Sequence, residues 1–208
     1  MSKASTRWII KFGGSLSDSN DLRIALATLV GKDVIIVPGG GPFANVVRSQ
    51  QIHLGFDDDL AHRLAIHAMG LYGRVLKGLE PRLGMLTSTQ PTATLPVGGH
   101  ARIWLPDPDD PCLASLEASW RITSDSIATQ LAFSLGVPHV LLLKSLDTAP
   151  GSECLTDASS QGIVDEALPD LVKEQGGNVK IWRTGPSGFD ALAQGLEDPV
   201  SFFMRLDP

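Results

Sequence analysis

The 208-residue sequence is poor in several features that mark other protein classes. It has only two cysteines, Cys112 and Cys154, without CxxC spacing, which argues against a zinc site and fits a reducing compartment. Its longest apolar runs are strand-sized, far below the roughly 20 residues that cross a bilayer. The charged first residues are not followed by the apolar run of a signal peptide. We therefore expect a cytoplasmic protein with no membrane partner.

Basic clusters and the standard nucleotide motifs are absent as well. The net charge is −6, and nucleic acids are usually bound by a concentrated basic face, so we predict no nucleic-acid partner. The P-loop pattern GxxxxGK[ST] does not occur. Gly39, Gly41 and Ala44 match the dinucleotide pattern GxGxxA, but the acidic residues 57–59 precede a helical pattern, where a dinucleotide fold needs the end of a strand.

Strand-like apolar runs alternate with helical patterns, which is typical of an α/β fold with a largely parallel sheet. No linker or repeat interrupts the chain, so we predict one domain over residues 1–208. The predicted strands are residues 8–12, 33–37, 101–105, 139–143, 179–182 and 201–206. The predicted helices are residues 21–30, 42–51, a long one from residue 60, 124–135, 164–174 and 188–196.

Two predicted strands run into glycine-rich loops. Lys11-Phe12-Gly13-Gly14-Ser15 follows the first strand, and Pro38-Gly39-Gly40-Gly41-Pro42 follows the second. Glycine lets main-chain N–H groups approach an anion closely, and open α/β sheets bind ligands beyond the carboxyl ends of their strands. We therefore predict a site that holds two phosphates face to face, a donor and an acceptor.

Two charged residues fall at the same predicted edge. Lys144 follows the strand at 139–143, and Asp125 lies in the first turn of the helix at 124–135. Taken alone, Asp125 fits a plain helix cap equally well, and Lys144 fits a solubilising charge at a strand end. In combination with Lys11 and the glycine loops, both become candidates for phosphate chemistry.

Four ordered motifs resemble the amino acid kinase superfamily over about residues 8–197. They are Lys11-Phe12-Gly13-Gly14-Ser15, Pro38-Gly39-Gly40-Gly41-Pro42-Phe43-Ala44, Thr123-Ser124-Asp125-Ser126-Ile127-Ala128 and Leu142-Leu143-Lys144-Ser145-Leu146-Asp147. Within the superfamily, the chain resembles most the [5-(aminomethyl)furan-3-yl]methyl phosphate kinases of methanofuran biosynthesis. The features that carry this closer resemblance are Arg48 at the end of the second loop motif, Ala61-His62, Ala68-Met69 and Trp120.

The resemblance implies a fold and a set of site residues. The fold would be a three-layer sandwich with a largely parallel central sheet, an acceptor-binding part at about residues 8–118 and an ATP-binding part at about residues 119–208, in a homo-oligomer. The implied catalytic residues are Lys11, Asp125 and Lys144. ATP would be bound by Gly13, Gly14, Ser15, Lys144, Asp147 and Gly185, and the acceptor by Gly39, Gly40, Gly41, His62 and Thr123. Mg²⁺ would arrive with ATP, bound mostly by phosphates and water, with no protein metal site.

No dedicated general base stands out, and this bears on the acceptor. The second pKa of a phosphomonoester is near ~6, so its attacking oxygen is already ionised at neutral pH, whereas a hydroxyl acceptor needs a positioned base. The sequence thus favours a small phosphorylated acceptor that becomes a diphosphate, first of all aminomethylfuran-methyl phosphate. The alternatives are isopentenyl phosphate, a nucleoside monophosphate, or a non-catalytic binding protein on the same fold, which the presence of Lys11, Asp125 and Lys144 disfavours.

Several assignments stay open at this point. Many relatives carry the ATP-side lysine in a Gly-Met-x-x-Lys segment that is absent here, which leaves Lys144, Lys173 or Lys180 for that role. The acidic residues 57–59 fit either a solvated helical turn or a contact to an ammonium group of the acceptor. Arg48 fits a charge that complements the dipole at the end of its helix. His67, unlike His62, is predicted to lie at a surface or interface. Trp104, Trp120 and Trp182 are predicted to lie in the core.

Overall fold

The computed structural model describes residues 6–16, 21–87, 100–176 and 178–208. Within them the strands are β1 (Trp8–Phe12), β2 (Val34–Pro38), β3 (Gly84–Leu86), β4 (Arg102–Trp104), β5 (His139–Leu143), β6 (Gly151–Cys154), β7 (Lys180–Thr184) and β8 (Met204–Asp207). The α-helices are α1 (Asp21–Thr28), α2 (Gly41–Leu54), α3 (Asp58–Leu79), α4 (Ser124–Leu135), α5 (Leu155–Ser160), α6 (Leu168–Glu174), α7 (Leu192–Gly195) and α8 (Pro199–Phe202).

The strands form one sheet in the order β3-β4-β2-β1-β5-β7-β8-β6. Its pairs are parallel except β7 with β8. The register aligns the last residues of four neighbouring strands, because Phe12 pairs with both Pro38 and Leu143, and Leu143 pairs with Thr184. The loops that follow β1, β2, β5 and β7 therefore leave the sheet side by side at one edge.

Each face of the sheet carries its own hydrophobic core. Alternate residues of β1 contribute to the two cores: Ile10 and Phe12 lie in one cluster, and Ile9 lies in the other. This alternation is expected because successive side chains of a strand point to opposite faces of the sheet. Helices α1 and α7 contribute to the first core, and α4, α5 and α6 contribute to the second. The layers are thus helix, sheet and helix, and the predicted α/β sandwich is confirmed.

Two predictions near the C-terminus are wrong. The helix predicted at 188–196 shrinks to a 3-10 turn at Pro186–Gly188 and the short α7. Gly195 of α7 packs tightly against the residues that follow, since a Cβ at this position would collide with the Phe203 ring. The strand predicted from residue 201 starts only at Met204, because α8 occupies Pro199–Phe202. Pro199 stands in the first helical turn, where its fixed φ favours a helix.

The structure also bears on the expectations about cysteine pairing and membrane segments. Neither Cys112 nor Cys154 is in a disulfide. Among the helices of the described ranges, none combines the length and apolar character that a membrane span requires. Residues 1–5, which belong to the stretch expected not to be a signal peptide, lie outside the described ranges.

Candidate functional site

The two glycine-rich loops touch each other beyond the ends of β1 and β2. The Gly39 amide donates to the Phe12 carbonyl at 2.7 Å. A Cβ on Gly14 would lie 2.5 Å from the Gly41 nitrogen, and one on Gly39 would lie 2.7 Å from the Gly14 nitrogen. Any larger residue at Gly14 or Gly39 would force the two main chains apart, so glycine is required at both positions for this close approach.

A buried carboxylate beside these loops holds two lysines. Lys11 Nζ lies 2.9 Å from Asp125 Oδ1, and Lys144 Nζ lies 2.6 Å from Asp125 Oδ2. Only 7% of the Lys11 side chain, 3% of the Asp125 side chain and 13% of the Lys144 side chain are exposed. The β1 and β5 strand ends and the first turn of α4 therefore bring the three predicted catalytic residues into one cluster.

Burial and the paired charges shift the pKa values in this cluster. Burial raises the pKa of Asp125, but Lys11 and Lys144 outweigh it and hold that pKa well below its usual range. Burial lowers the pKa of Lys144 to about 8, with Lys11 acting in the same direction and Asp125 against it. Asp125 is thus a permanent anion at neutral pH, unsuited to act as a base, and Lys144 changes its charge just above neutral pH.

Asp165 is a second buried carboxylate at this site, and sequence reasoning missed it. It accepts hydrogen bonds from the Thr123 amide at 2.9 Å and from the Ser126 amide and hydroxyl at 2.9 and 2.6 Å. Its own amide donates to Asp125 Oδ2 at 3.2 Å. Asp165 therefore fixes the start of α4 and, through it, the position of Asp125. Burial, reinforced by the neighbouring Asp125, raises the pKa of Asp165.

Of the residues predicted to bind ATP, Gly13, Gly14 and Ser15 follow β1. The others, Lys144, Asp147 and Gly185, lie on the loops after β5 and β7. Asp147 Oδ1 accepts from the Ser187 amide at 2.8 Å, and a Cβ on Gly185 would lie 2.7 Å from the Asp147 nitrogen. These two loops are therefore packed together. Lys173 and Lys180 are exposed, and in the described ranges neither forms an ion pair with Asp125. Of the three lysines left open by the sequence, only Lys144 lies in the cluster.

A cavity opens on the other side of the glycine loops, between α2, α3 and the start of α4. Three of the residues predicted to bind the acceptor line it, namely Gly40, His62 and Thr123. Gly39 precedes Gly40 in the loop, and Gly41 is the first residue of α2. Burial lowers the pKa of His62, with Asp59 opposing the shift, so the imidazole is neutral at neutral pH. His67, predicted to lie at a surface, is exposed.

Trp120 and Asp58, which both line this cavity, are joined by hydrogen bonds through Gln51. The Trp120 indole N–H donates to Gln51 Oε1 at 2.6 Å, and Gln51 Nε2 donates to Asp58 Oδ1 at 2.7 Å. The Arg48 guanidinium lies 4.3 Å from the centroid of the Trp120 ring. Two expectations are corrected here: Trp120 lines a cavity instead of lying in the core, and Arg48 is not at a helix end, because α2 continues to Leu54.

The two other tryptophans, Trp104 and Trp182, are buried in the core as predicted. Within the part of the chain that the structure describes, no group of three or more His, Cys, Asp or Glu side chains could hold a metal ion.

Comparison with known proteins decides the family. The chain is 32% identical over 185 residues to a [5-(aminomethyl)furan-3-yl]methyl phosphate kinase from Methanocaldococcus jannaschii, across 80% of this chain and 82% of that protein. The chain belongs to this kinase family. No protein-family model matches it. Family membership makes this protein an enzyme of the phosphotransferase class.

Solved structures of similar shape support the fold of this kinase. Uridylate kinase from Archaeoglobus fulgidus superimposes with a TM-score of 0.66 at 16% identity, over 96% of this chain and 99% of that one. UMP kinase from Ureaplasma parvum superimposes with a TM-score of 0.64 at 16% identity, over 98% of this chain and 100% of that one. UMP kinase from Bacillus anthracis superimposes with a TM-score of 0.64 at 15% identity, over 99% of this chain and 97% of that one. At these identities the likeness concerns the fold, which is that of the amino acid kinase superfamily.

Proposed function

We propose that this kinase transfers the γ-phosphoryl group of ATP to a small phosphomonoester, forming a diphosphate. The first candidate acceptor is [5-(aminomethyl)furan-3-yl]methyl phosphate, as an intermediate of a methanofuran-type cofactor. One observation carries the chemistry: the Asp125 carboxylate holds two buried ammonium groups where two glycine loops meet. The name of the M. jannaschii relative supports the choice of acceptor.

The proposed reaction depends mainly on neutralising the negative charge of the migrating phosphoryl group and requires no covalent intermediate with the protein. An oxygen of the acceptor phosphate attacks the γ-phosphorus, a new P–O bond forms, and the bond to the bridging oxygen of ADP breaks. Such transfers depend on in-line positioning and on positive charge around the migrating group. We assign Lys11 to the acceptor side and Lys144 to the ATP side, with Asp125 keeping both in place through charge-assisted hydrogen bonds.

The binding residues follow the same division. ATP would contact Gly13, Gly14, Ser15, Asp147 and Gly185, and the acceptor would contact Gly39, Gly40, Gly41, His62 and Thr123. The acceptor part would then comprise about residues 8–118 and the ATP part about residues 119–208, within one domain. Mg²⁺ bound to the phosphates of ATP supplies further positive charge, and we assign it no protein ligand. The two cysteines outside any disulfide fit a cytoplasmic enzyme.

A phosphate acceptor also agrees with the surroundings of the two buried carboxylates described at this site. Asp165 accepts hydrogen bonds from the Thr123 amide and from the Ser126 amide and hydroxyl, which leaves it positioned at the start of α4. Asp125 is ion-paired to two lysines, and its pKa lies well below the usual range. An acceptor phosphate, with a second pKa near ~6, brings its own ionised nucleophile. Neutral His62 can then serve as a hydrogen-bond donor to that phosphate.

A coupled ADP-release assay over a panel of acceptors tests this proposal. The panel contains aminomethylfuran-methyl phosphate, its parent alcohol, isopentenyl phosphate and UMP. We expect the furan phosphate to be turned over best and the alcohol to be slower by about 10³-fold or more, since it leaves the phosphate-binding groups unpaired. Efficient turnover of the alcohol, or a preference for isopentenyl phosphate or UMP, would contradict the proposed acceptor.

We also infer that the enzyme is a homo-oligomer. Helix α2 has 14 residues and no buried side chain, although several of them are apolar. Extended apolar surfaces of this kind usually mark protein interfaces. The large apolar side chains exposed on α2 and α3 are Phe43, Val46, Ile52, Leu54, Leu60, Leu71 and Val75.

Sedimentation velocity tests the oligomer. We expect a species at a multiple of the 22.1 kDa chain mass. Ile52→Glu should shift it towards the monomer, because Ile52 is 83% exposed within the α2 surface. Val200→Glu, at an apolar position on α8 that is 71% exposed, is the matched control and should leave the mass unchanged. A wild-type protein that sediments at 22.1 kDa would contradict the inference.

A further inference from the structure

We propose that the hydroxyl group of Ser124 donates a hydrogen bond to the phosphate of the acceptor, and that the neighbouring hydroxyl of Thr123 does not. The inference rests on the proposed function, because it concerns the phosphate acceptor of that reaction. It adds a binding residue that none of the sequence-based site predictions includes. It also limits what Thr123 can contribute to the same cavity.

Asp165 occupies both hydrogen-bond donors of Thr123. The Thr123 amide donates to Asp165 Oδ2 at 2.9 Å, and the Thr123 hydroxyl donates to the same oxygen at 3.1 Å. A hydroxyl group has a single hydrogen to donate, so Thr123 has only lone pairs and its methyl group left for a ligand. An ionised phosphate oxygen also carries only lone pairs. Thr123 therefore has no hydrogen bond to offer the acceptor phosphate.

The same carboxylate replaces a side-chain cap at the start of α4. Thr123 directly precedes the helix, but its side chain makes no capping bond to it. The Ser126 amide, which such a cap would normally engage, donates to Asp165 Oδ2 at 2.9 Å, and the Ser126 hydroxyl donates to Oδ1 at 2.6 Å. Four donors on one carboxylate favour its ionised form. This arrangement holds the Thr123 hydroxyl in its bond to Asp165.

Ser124 follows Thr123 directly and has no such partner. Only 9% of Ser124 is exposed, and it lines the acceptor cavity. Within the described ranges its hydroxyl makes no hydrogen bond, and the adjacent Asp125 carboxylate is engaged by Lys11 and Lys144. Hydroxyl groups in nearly buried positions are usually hydrogen-bonded. A ligand oxygen in the cavity would complete the hydrogen bonding of Ser124.

The Ser124 hydroxyl lies where the two glycine loops meet. A Cβ on Gly39 would lie 3.3 Å from the Ser124 hydroxyl oxygen, and the same Cβ would lie 2.7 Å from the Gly14 nitrogen. The next residue of α4 is Asp125, which holds the two buried lysines. The hydroxyl is therefore close to both loops and to the lysine pair, which is the place proposed for the two phosphates.

The charges around the site indicate which kinetic constant depends on Ser124. The positive charge for the migrating phosphoryl group is assigned to Lys11 and Lys144. His62, which lines the same cavity as Ser124, is a neutral donor because burial lowers its pKa. Ser124 is a second neutral donor, and neutral donors contribute to holding the acceptor phosphate more than to cancelling charge on the migrating group. We therefore expect Ser124 to affect mainly the KM of the acceptor.

Steady-state kinetics with aminomethylfuran-methyl phosphate test the inference. Ser124→Ala should lower kcat/KM for the acceptor about 10- to 100-fold, mainly through its KM, as for the loss of a hydrogen bond to a charged group. The KM for ATP should change by no more than about 2-fold. Thr123→Val removes the neighbouring hydroxyl at nearly the same volume, and it should raise the acceptor KM much less, by about 2- to 5-fold.

Ser119→Ala is the matched control. Ser119 also lines the cavity, but its hydroxyl oxygen is buried and has no hydrogen-bond partner among the described residues. Its loss should leave both KM values within about 2-fold of the wild type. The pH dependence of kcat should be the same in Ser124→Ala as in the wild type, because the Asp125 cluster is unchanged. A shifted profile would assign the effect of Ser124→Ala to the lysines and overturn the binding role.

The outcomes separate this inference from the proposed function. If the furan phosphate is turned over and Ser124→Ala keeps the acceptor KM, or Thr123→Val raises that KM more, the inference is wrong and the proposed function stands. If the acceptor is isopentenyl phosphate or UMP instead, the same variants are measured with it. A raised KM in Ser124→Ala then supports the hydrogen bond to phosphate, although the proposed acceptor fails. If no phosphomonoester is turned over, both fail.

Discussion

Replacing Lys11 with methionine should lower kcat by a factor on the order of 10² to 10³ while the protein stays folded. Lys11 Nζ is buried at the end of β1 and lies 2.9 Å from Asp125 Oδ1. Methionine keeps an unbranched apolar stem in the strand but removes the ammonium group that would stabilise the migrating phosphoryl group. Steady-state ADP release at saturating ATP and acceptor measures the effect, and circular dichroism checks the fold.

A second lysine serves as the control for this experiment. Lys173 is exposed on α6 and is one of the residues that the sequence left open for the ATP side. Lys173→Met should change kcat by no more than about 2-fold. An unchanged kcat in folded Lys11→Met would refute the role of Lys11. A large loss in Lys173→Met would instead move the ATP-side role away from Lys144.

Asp125→Asn should reduce kcat at every pH, by a factor on the order of 10³. Asparagine keeps the size of the side chain and the start of α4, but it removes the charge that holds Lys11 and Lys144 in place. Two buried ammonium groups would then face each other without an anion between them. Because burial and Lys11 already lower the pKa of Lys144 to about 8, the variant would relieve this repulsion by losing the Lys144 proton.

The pH dependence distinguishes a positioning carboxylate from a base. In the wild type, kcat should fall as pH rises through about 8, because Lys144 loses its charge. Asp125 raises the pKa of Lys144, so in Asp125→Asn the same fall should move to lower pH. A base role for Asp125 predicts the opposite, namely rescue of the variant at high pH. Measuring kcat from neutral to alkaline pH for both proteins decides between them.

Much of the fold follows from local patterns. The predicted bounds of β1, β5 and α4 agree with the structure at both ends. Each of these strands is an almost fully buried apolar run. Helix α4 is bounded by Thr123 at its start and by Gly136, in the left-handed conformation, at its end. Where the pattern is short, as in β3 and β6 with three and four residues, periodicity provides too few positions to indicate a strand.

Some residues of the candidate site are likewise predictable from local patterns, and others are not. Lys11 lies near the end of a strand, and Lys144 and the glycine loops each follow one. Their positions were predictable because parallel strands bring their carboxyl ends to one edge of the sheet. Asp165 was hidden inside the predicted helix at 164–174, whereas α6 begins only at Leu168. The contact between Trp120 and Gln51 joins residues 69 positions apart, which no local pattern reveals. Such long-range side-chain pairs require the packed structure.

Phosphorus NMR of the reaction products tests the central claim, that the buried lysine pair transfers a phosphoryl group to a phosphate acceptor. The enzyme is incubated with ATP, Mg²⁺ and aminomethylfuran-methyl phosphate, with Lys11→Met in parallel. The account predicts ADP together with two mutually coupled signals of a diphosphate ester in the wild-type sample, strongly reduced in the variant. ADP and inorganic phosphate without a diphosphate ester, or the same product at full rate in Lys11→Met, would contradict it.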